Sequence, residues 1–125
     1  MRTRESEEMY LETILLLKKR LGKVRSVDVV EELGYAKSSV SRAVKLLRNN
    51  GLILIDRNGD IEFTDIGRAR AEDVYDRHRV ITGLLLKLGL GAEVAEDNAC
   101  RIEHVISADL FERLKEIYAD TEKEN

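Results

Sequence analysis

No proline occurs in this chain of 125 residues, so helix is sterically open everywhere and its breaks must come from glycine and polar turn residues. Apolar residues make up 43% of the chain, enough for a packed core, and along most of it they recur at helical spacing. Met9, Leu11, Ile14, Leu15, Leu17 and Leu21 line one face of a first helix. Ser6 is its expected N-cap, Glu7 and Glu8 suit its first turn, and Gly22 stops it. Ser26 is the expected cap of a second helix that turns Val27, Val29, Val30 and Leu33 inward. Gly34-Tyr35-Ala36 makes a tight turn into a third, where Val40, Val44 and Leu47 repeat on one face, widened by Leu46. Asn49-Asn50-Gly51 ends that helix.

Residues 52–55 and 61–63 read as two short strands joined through Asn58-Gly59, a strong hairpin signal. Thr64 then caps a long fourth helix running to about Lys87 that tolerates Gly67 and Gly83. Ala92 to about Ile106 forms a fifth, and Ser107 caps a sixth in which Leu110, Phe111, Leu114, Ile117 and Tyr118 repeat. The expected architecture is mainly α: a winged helix-turn-helix domain over 1–63, followed by an all-helical domain over 64–125.

Net charge is −3, but its distribution matters more than its sum. Residues 36–58 carry Lys37, Arg42, Lys45, Arg48 and Arg57 against Asp56 alone, whereas residues 92–125 carry ten acids against four bases. A basic segment can meet phosphates while an acidic one faces elsewhere. The third helix would enter the major groove of double-stranded DNA, leading with Lys37, Ser38, Ser39, Ser41 and Arg42. Arg42 is the best candidate for a base contact, because a guanidinium bonds guanine bidentately; Lys37, Lys45 and the wing's Arg57 fit phosphates better. The bland alternative is a helical pair with a solvated polar face. Turn, polar helix face and hairpin in the right order favour the DNA reading.

The fifth helix carries Cys100, Glu103 and His104, positions i, i+3 and i+4 that project in nearly the same direction. Singly, they read as a small core residue, a solvated charge and a satisfied core imidazole. Together they offer a thiol, a carboxylate and an imidazole to a transition metal, and a buried carboxylate and imidazole need a partner of this kind. Complements must come from other elements. Met9, Glu12 and His78 are the candidates, with core filler, surface acid and part of a polar stripe as their ordinary alternatives.

At this point the chain resembles the family of diphtheria toxin repressor and manganese transport regulator. The resemblance rests on residues 8–12 (EMYLE), 38–41 (SSVS), 64–68 (TDIGR), 75–79 (YDRHR) and 100–107 (CRIEHVIS), and it spans nearly the whole chain in order. It implies a winged N-terminal domain and a helical domain that dimerises and holds two neighbouring metal sites. The primary site of the iron-responsive branch would be Met9, Cys100, Glu103 and His104; the manganese branch has acids where Met9 and Cys100 stand. Fe2+ is therefore expected over Mn2+, with Co2+, Ni2+ or Zn2+ able to substitute, and soft sulfur donors argue the same way. An ancillary site would draw on Glu12, His78, Glu96 and Glu103; Thr82 stands where the iron branch has an acid. The iron branch adds ligands from a further C-terminal domain, and a short two-domain form is expected here.

The expected function is a repressor that binds operator DNA as a homodimer when loaded with metal and controls metal-uptake genes. Leu110, Phe111, Leu114 and Ile117 would form the dimer face. No enzyme motif, small-molecule substrate, membrane span or signal segment is visible, and a single cysteine fits the cytoplasm. The main rival is a metal-independent winged-helix regulator sensing oxidation through Cys100; a metal hydrolase would need a general base and a cleft that no motif announces.

Overall fold

The computed structural model describes residues 2–123, with side chains from residue 6. Its elements run α1 (Arg2–Leu21), α2 (Ser26–Leu33), α3 (Lys37–Asn49), β1 (Ile53–Ile55), β2 (Ile61–Phe63), α4 (Asp65–Lys87), α5 (Ala92–Ile102) and α6 (Ala108–Lys123). The chain forms two compact units, Met1–Glu72 and Asp73–Asn125, whose division lies inside α4.

In the first unit, α1 starts upstream of Ser6, which lies within the helix and caps nothing. Nothing between Arg2 and Ser6 breaks a helix, and a lone serine does not. Gly22 ends α1 at φ 87°, its N–H donating to the Lys18 carbonyl. The cap of α2 falls one residue earlier than expected. Extended Arg25 precedes the helix, and the Asp28 carboxylate accepts its N–H at 2.8 Å. Leu11, Ile14, Leu17, Val24, Val29, Val40, Leu47, Ile53 and Ile61 are fully buried. Val27 is 53% exposed and Leu46 is 44% exposed. Neither turns inward as expected, since Val27 lies about 200° around α2 from buried Val29.

β1 and β2 pair antiparallel, with Ile53 opposite Phe63 and Ile55 opposite Ile61. One Asp56 carboxylate oxygen accepts the N–H groups of Asn58 and Asp60, closing the wing's tip around Gly59 at φ 86°. Ile61 N–H also donates to the Val24 carbonyl at 2.7 Å, and Arg25 pairs with buried Asp60 at 3.0 Å. The wing is thereby tied to the α1–α2 loop. The Thr64 hydroxyl donates to the Gly51 carbonyl at 2.7 Å and accepts the Gly67 N–H at 3.0 Å, which caps α4 as expected.

Gly67 is required rather than tolerated, and Gly83 is tightly packed. A β-carbon on Gly67 would fall on the Leu52 carbonyl, and one on Gly83 would fall on the Tyr118 ring. In the second unit, Val80, Ile81, Ala95, Ala99 and Phe111 are buried. α5 stops at Ile102, short of the expected Ile106, and the chain turns through residues 103–106. The Arg77 guanidinium donates to the carbonyls of Glu103 and Ile106 at 3.4 and 3.2 Å, supplying partners that a continued helix would have provided. The Ser107 hydroxyl accepts the Leu110 N–H at 3.1 Å and starts α6.

Gly67→Ala is the sharpest test of this packing. Helix propensity alone favours alanine by about 1 kcal/mol, but a backbone collision costs about 1–3 kcal/mol or more. The clash involves main chain that cannot swing aside, so urea unfolding should show net destabilisation. A variant as stable as the parent would refute this account of the α4–β1 contact.

Candidate metal centre and nucleic-acid interface

The basic residues of α3 line one accessible surface. Lys37, Ser38, Ser41, Arg42 and Lys45 are exposed and Ser39 is half-buried, while Val40, Val44 and Leu47 hold the opposite face in the core. Arg57 is exposed in the hairpin between β1 and β2. Helix and wing thus present cationic groups on an anchored scaffold, as a DNA-reading element requires.

In the second unit, donor groups converge where sequence spacing alone would not put them. His78 on α4 has Nδ1 2.6 Å from Glu103 Oε1 and Nε2 2.8 Å from Glu96 Oε1. With a proton on each nitrogen the ring donates to both carboxylates. The donor atoms of His78, Glu96 and Cys100 lie within 4.8 Å of one another. Glu96 and Cys100 are one helical turn apart on α5, which explains their shared direction. Cys100 is exposed, unlike the core residue it would be if read alone.

Glu103 differs from these groups in depth, its side chain being 1% exposed. Its Oε1 meets His78, but Oε2 has no hydrogen-bond partner; His104 Nε2 stands 3.3 Å away without bonding geometry. Glu103 keeps helical dihedrals as the C-cap of α5, and His104 follows in the turn. A buried carboxylate oxygen with an open lone pair beside an imidazole fits a divalent cation, which would supply the missing charge. Cation binding would compete with protons on the imidazoles and on the thiol.

Met9 and Glu12 lie one turn apart on α1 in the first unit. The Tyr35 hydroxyl donates to Met9 Sδ at 3.7 Å, and the Tyr35 ring meets Tyr10 edge-on at 6.5 Å. Burial and the neighbouring Tyr35 push the Tyr10 phenol above its ordinary pKa. Glu12 is 9% exposed. Among the expected dimer residues, Leu110 and Ile117 are exposed and Leu114 is half-buried. Phe111 is a correction: it is 3% exposed, its ring covered by the Arg77 guanidinium at 5.4 Å and the Lys115 ammonium at 5.3 Å. It belongs to the core of its own subunit and offers little to a partner. Sequence reasoning missed Arg77, which it left in the polar stripe of α4.

A winged helix-turn-helix joined to a helical unit with clustered imidazole, carboxylate and thiol groups defines a class of DNA-binding proteins with a metal-ligating domain. The chain belongs to the iron-dependent repressor family. The family's N-terminal DNA-binding domain matches residues 2–59, and its metal-binding and dimerisation domain matches residues 64–124. The chain is 30% identical to the diphtheria toxin repressor of Corynebacterium diphtheriae, over 95% of this chain and 53% of that protein. It therefore spans about half the length of such relatives. An uncharacterised helix-turn-helix regulator of Methanocaldococcus jannaschii is 31% identical over 89% of this chain and 90% of its own. Among solved structures, the metal-dependent transcriptional regulator MtsR superposes with a TM-score of 0.83 at 27% identity, covering 89% of this chain and 52% of that one. The manganese regulator SloR gives 0.79 at 29% identity over the same shares.

Cys100 provides a direct spectroscopic check. With Co2+ bound, the protein should show thiolate-to-metal charge transfer in the near ultraviolet, and Cys100→Ser should abolish it. Because the side chain is exposed, the apo variant should stay within about 0.5 kcal/mol of the parent in urea. A Co2+ spectrum indifferent to the substitution would remove the thiol from the ligand set.

Proposed function

We propose that this protein is a metal-dependent transcriptional repressor that binds double-stranded operator DNA as a homodimer when loaded with divalent metal, and thereby controls metal-uptake genes. The observation that carries the reading is the Glu103 carboxylate, buried with one oxygen unpartnered beside His104. A group in that condition is costly unless a cation completes it. His78, Glu96 and Cys100 adjoin it as further donors, and His78 touches both groups. We extend the ligand set to Met9 and Glu12 on the sequence resemblance alone. Thiolate and imidazole donors favour Fe2+ over Mn2+ and admit Co2+, Ni2+ or Zn2+.

The metal would supply divalent charge and hold these donors together. The chain's own residues do the rest. The leading turns of α3 enter the major groove, where Arg42 reads a base edge, Ser38, Ser39 and Ser41 permit close approach, and Lys37, Lys45 and Arg57 hold phosphates. Leu110, Leu114 and Ile117 form the apolar contact between subunits. Linkage requires that operator DNA tighten metal binding by the factor with which metal tightens DNA binding. This is regulation in the cytoplasm, with no membrane partner or small-molecule substrate; none of the described helices is long and apolar enough to cross a membrane.

The test is an anaerobic titration of a duplex selected from a random pool, with Fe2+, Mn2+, Co2+ and Zn2+ in turn and bound ions counted by elemental analysis. Metal should promote binding, chelator should reverse it, and Glu103→Gln and His104→Ala should lose the stimulation while remaining folded. Equal binding with and without chelator would end the proposal. The exposed thiol of Cys100 favours one second reading, a redox-sensing regulator. That reading predicts chelator-insensitive binding lost on thiol oxidation.

The interface makes its own prediction. Arg42→Ala should cost about 1–3 kcal/mol and relax selectivity at one base pair, whereas Lys45→Ala should weaken all sequences alike and lower the salt slope by about one. Equal losses on specific and random duplexes for both variants would remove Arg42 as a base reader.

A further inference from the structure

Glu103 is gripped at both ends by two consecutive residues of α4. His78 bonds its carboxylate, and Arg77 bonds its backbone carbonyl. Arg77 reaches past it to the Ile106 carbonyl as well, so its two bonds bracket the turn that contains Glu103 and His104. That turn follows the end of α5: Glu103 N–H still donates to the Ala99 carbonyl, the last bond of the helical ladder, and Val105 N–H donates to the Ile102 carbonyl. The guanidinium is itself fixed. Its Nε stands 3.2 Å from the Asp73 carboxylate as an ion pair without a hydrogen bond, its Cζ lies 5.4 Å from the Phe111 ring centre, and its side chain is only 13% exposed.

From this geometry we infer that Arg77 is a positioning residue for the metal centre: it sets the main-chain geometry of the 103–106 turn, so that Glu103 Oε2 and His104 are presented together to the cation. The inference rests on the metal reading above and adds a residue that would ligate nothing. Partners that orient ligands without touching the metal are typically worth about 10–100-fold in affinity. Arg77 has one property that separates positioning from simpler effects. It is a cation beside a proposed cation site. Coulomb repulsion alone predicts that removing it tightens metal binding, whereas positioning predicts the opposite.

The experiment is a Co2+ titration of the full chain, read by its absorption spectrum, with urea unfolding of each apo variant alongside. Arg77→Met deletes the donors and the charge but keeps an apolar stem against Phe111. Arg77→Lys keeps the charge and replaces the Nη1 that makes both carbonyl bonds with one ammonium nitrogen, which has donors enough for both but sits on a stem of different reach. Arg77→Met should weaken Co2+ binding by tenfold or more and alter the bands that report coordination geometry. Arg77→Lys should recover part of the affinity despite restoring the repulsive charge. Unchanged or tighter binding by Arg77→Met would overturn the inference, as would a loss in both variants that merely follows their loss of apo stability. A parent chain that takes up no Co2+ would bring down the metal reading and this inference together. Parent binding beside an indifferent Arg77→Met would bring down this inference alone.

Discussion

The second unit is organised around one buried carboxylate. Glu103 lies at the end of α5 with its side chain almost fully covered, where a charge is tolerated only with compensation. His78 bonds one oxygen, while the other lies 3.3 Å from His104 Nε2 without a hydrogen bond. A carboxylate oxygen without a hydrogen bond at such depth carries a cost, which a bound divalent cation would offset. The early end of α5, the grip of Arg77 on the following turn and the covering of Phe111 by two cationic side chains all surround this point.

The first unit answers a different constraint. Its small sheet cannot hold its orientation alone, since two three-residue strands bury little. Ile61 therefore pairs with Val24, and Asp60 with Arg25, so the wing is anchored to the loop before α2. Glu7 adds a polar tie, accepting from Asn50 at 2.6 Å and pairing with Arg70 at 3.3 Å, which links α1, the end of α3 and α4. Gly67 lets α4 pack directly on the Leu52 carbonyl. The exposed cations of α3 and the wing thus sit on a framework braced from several sides, which is what reading a rigid duplex demands.

Much of this was legible in the chain. The helix count, the Asn58-Gly59 hairpin, the Thr64 cap and the end of α4 at Lys87 follow from local chemistry, because turn residues and caps act over a few positions. The errors were also local in kind. Ser6 and Ser26 were expected as caps from residue type, but one is helical and the other follows an extended arginine held by Asp28. Periodicity marked Val27, Leu46 and Phe111 as apolar without deciding what each would face. Gly67 looked like a tolerated weakness because the group that excludes a β-carbon there, the Leu52 carbonyl, comes from another element.

The candidate site divides along the same line. Residue type and spacing by themselves determined that Cys100, Glu103 and His104 are metal-capable donors on neighbouring turns, since backbone periodicity dictates direction. Tertiary structure alone decided how those donors are shared. It put the thiol with His78 and Glu96, buried Glu103 with one oxygen unanswered, and brought Arg77 onto the turn that holds it. Burial and hydrogen bonding between distant segments depend on how whole helices pack, and no window of sequence contains that information.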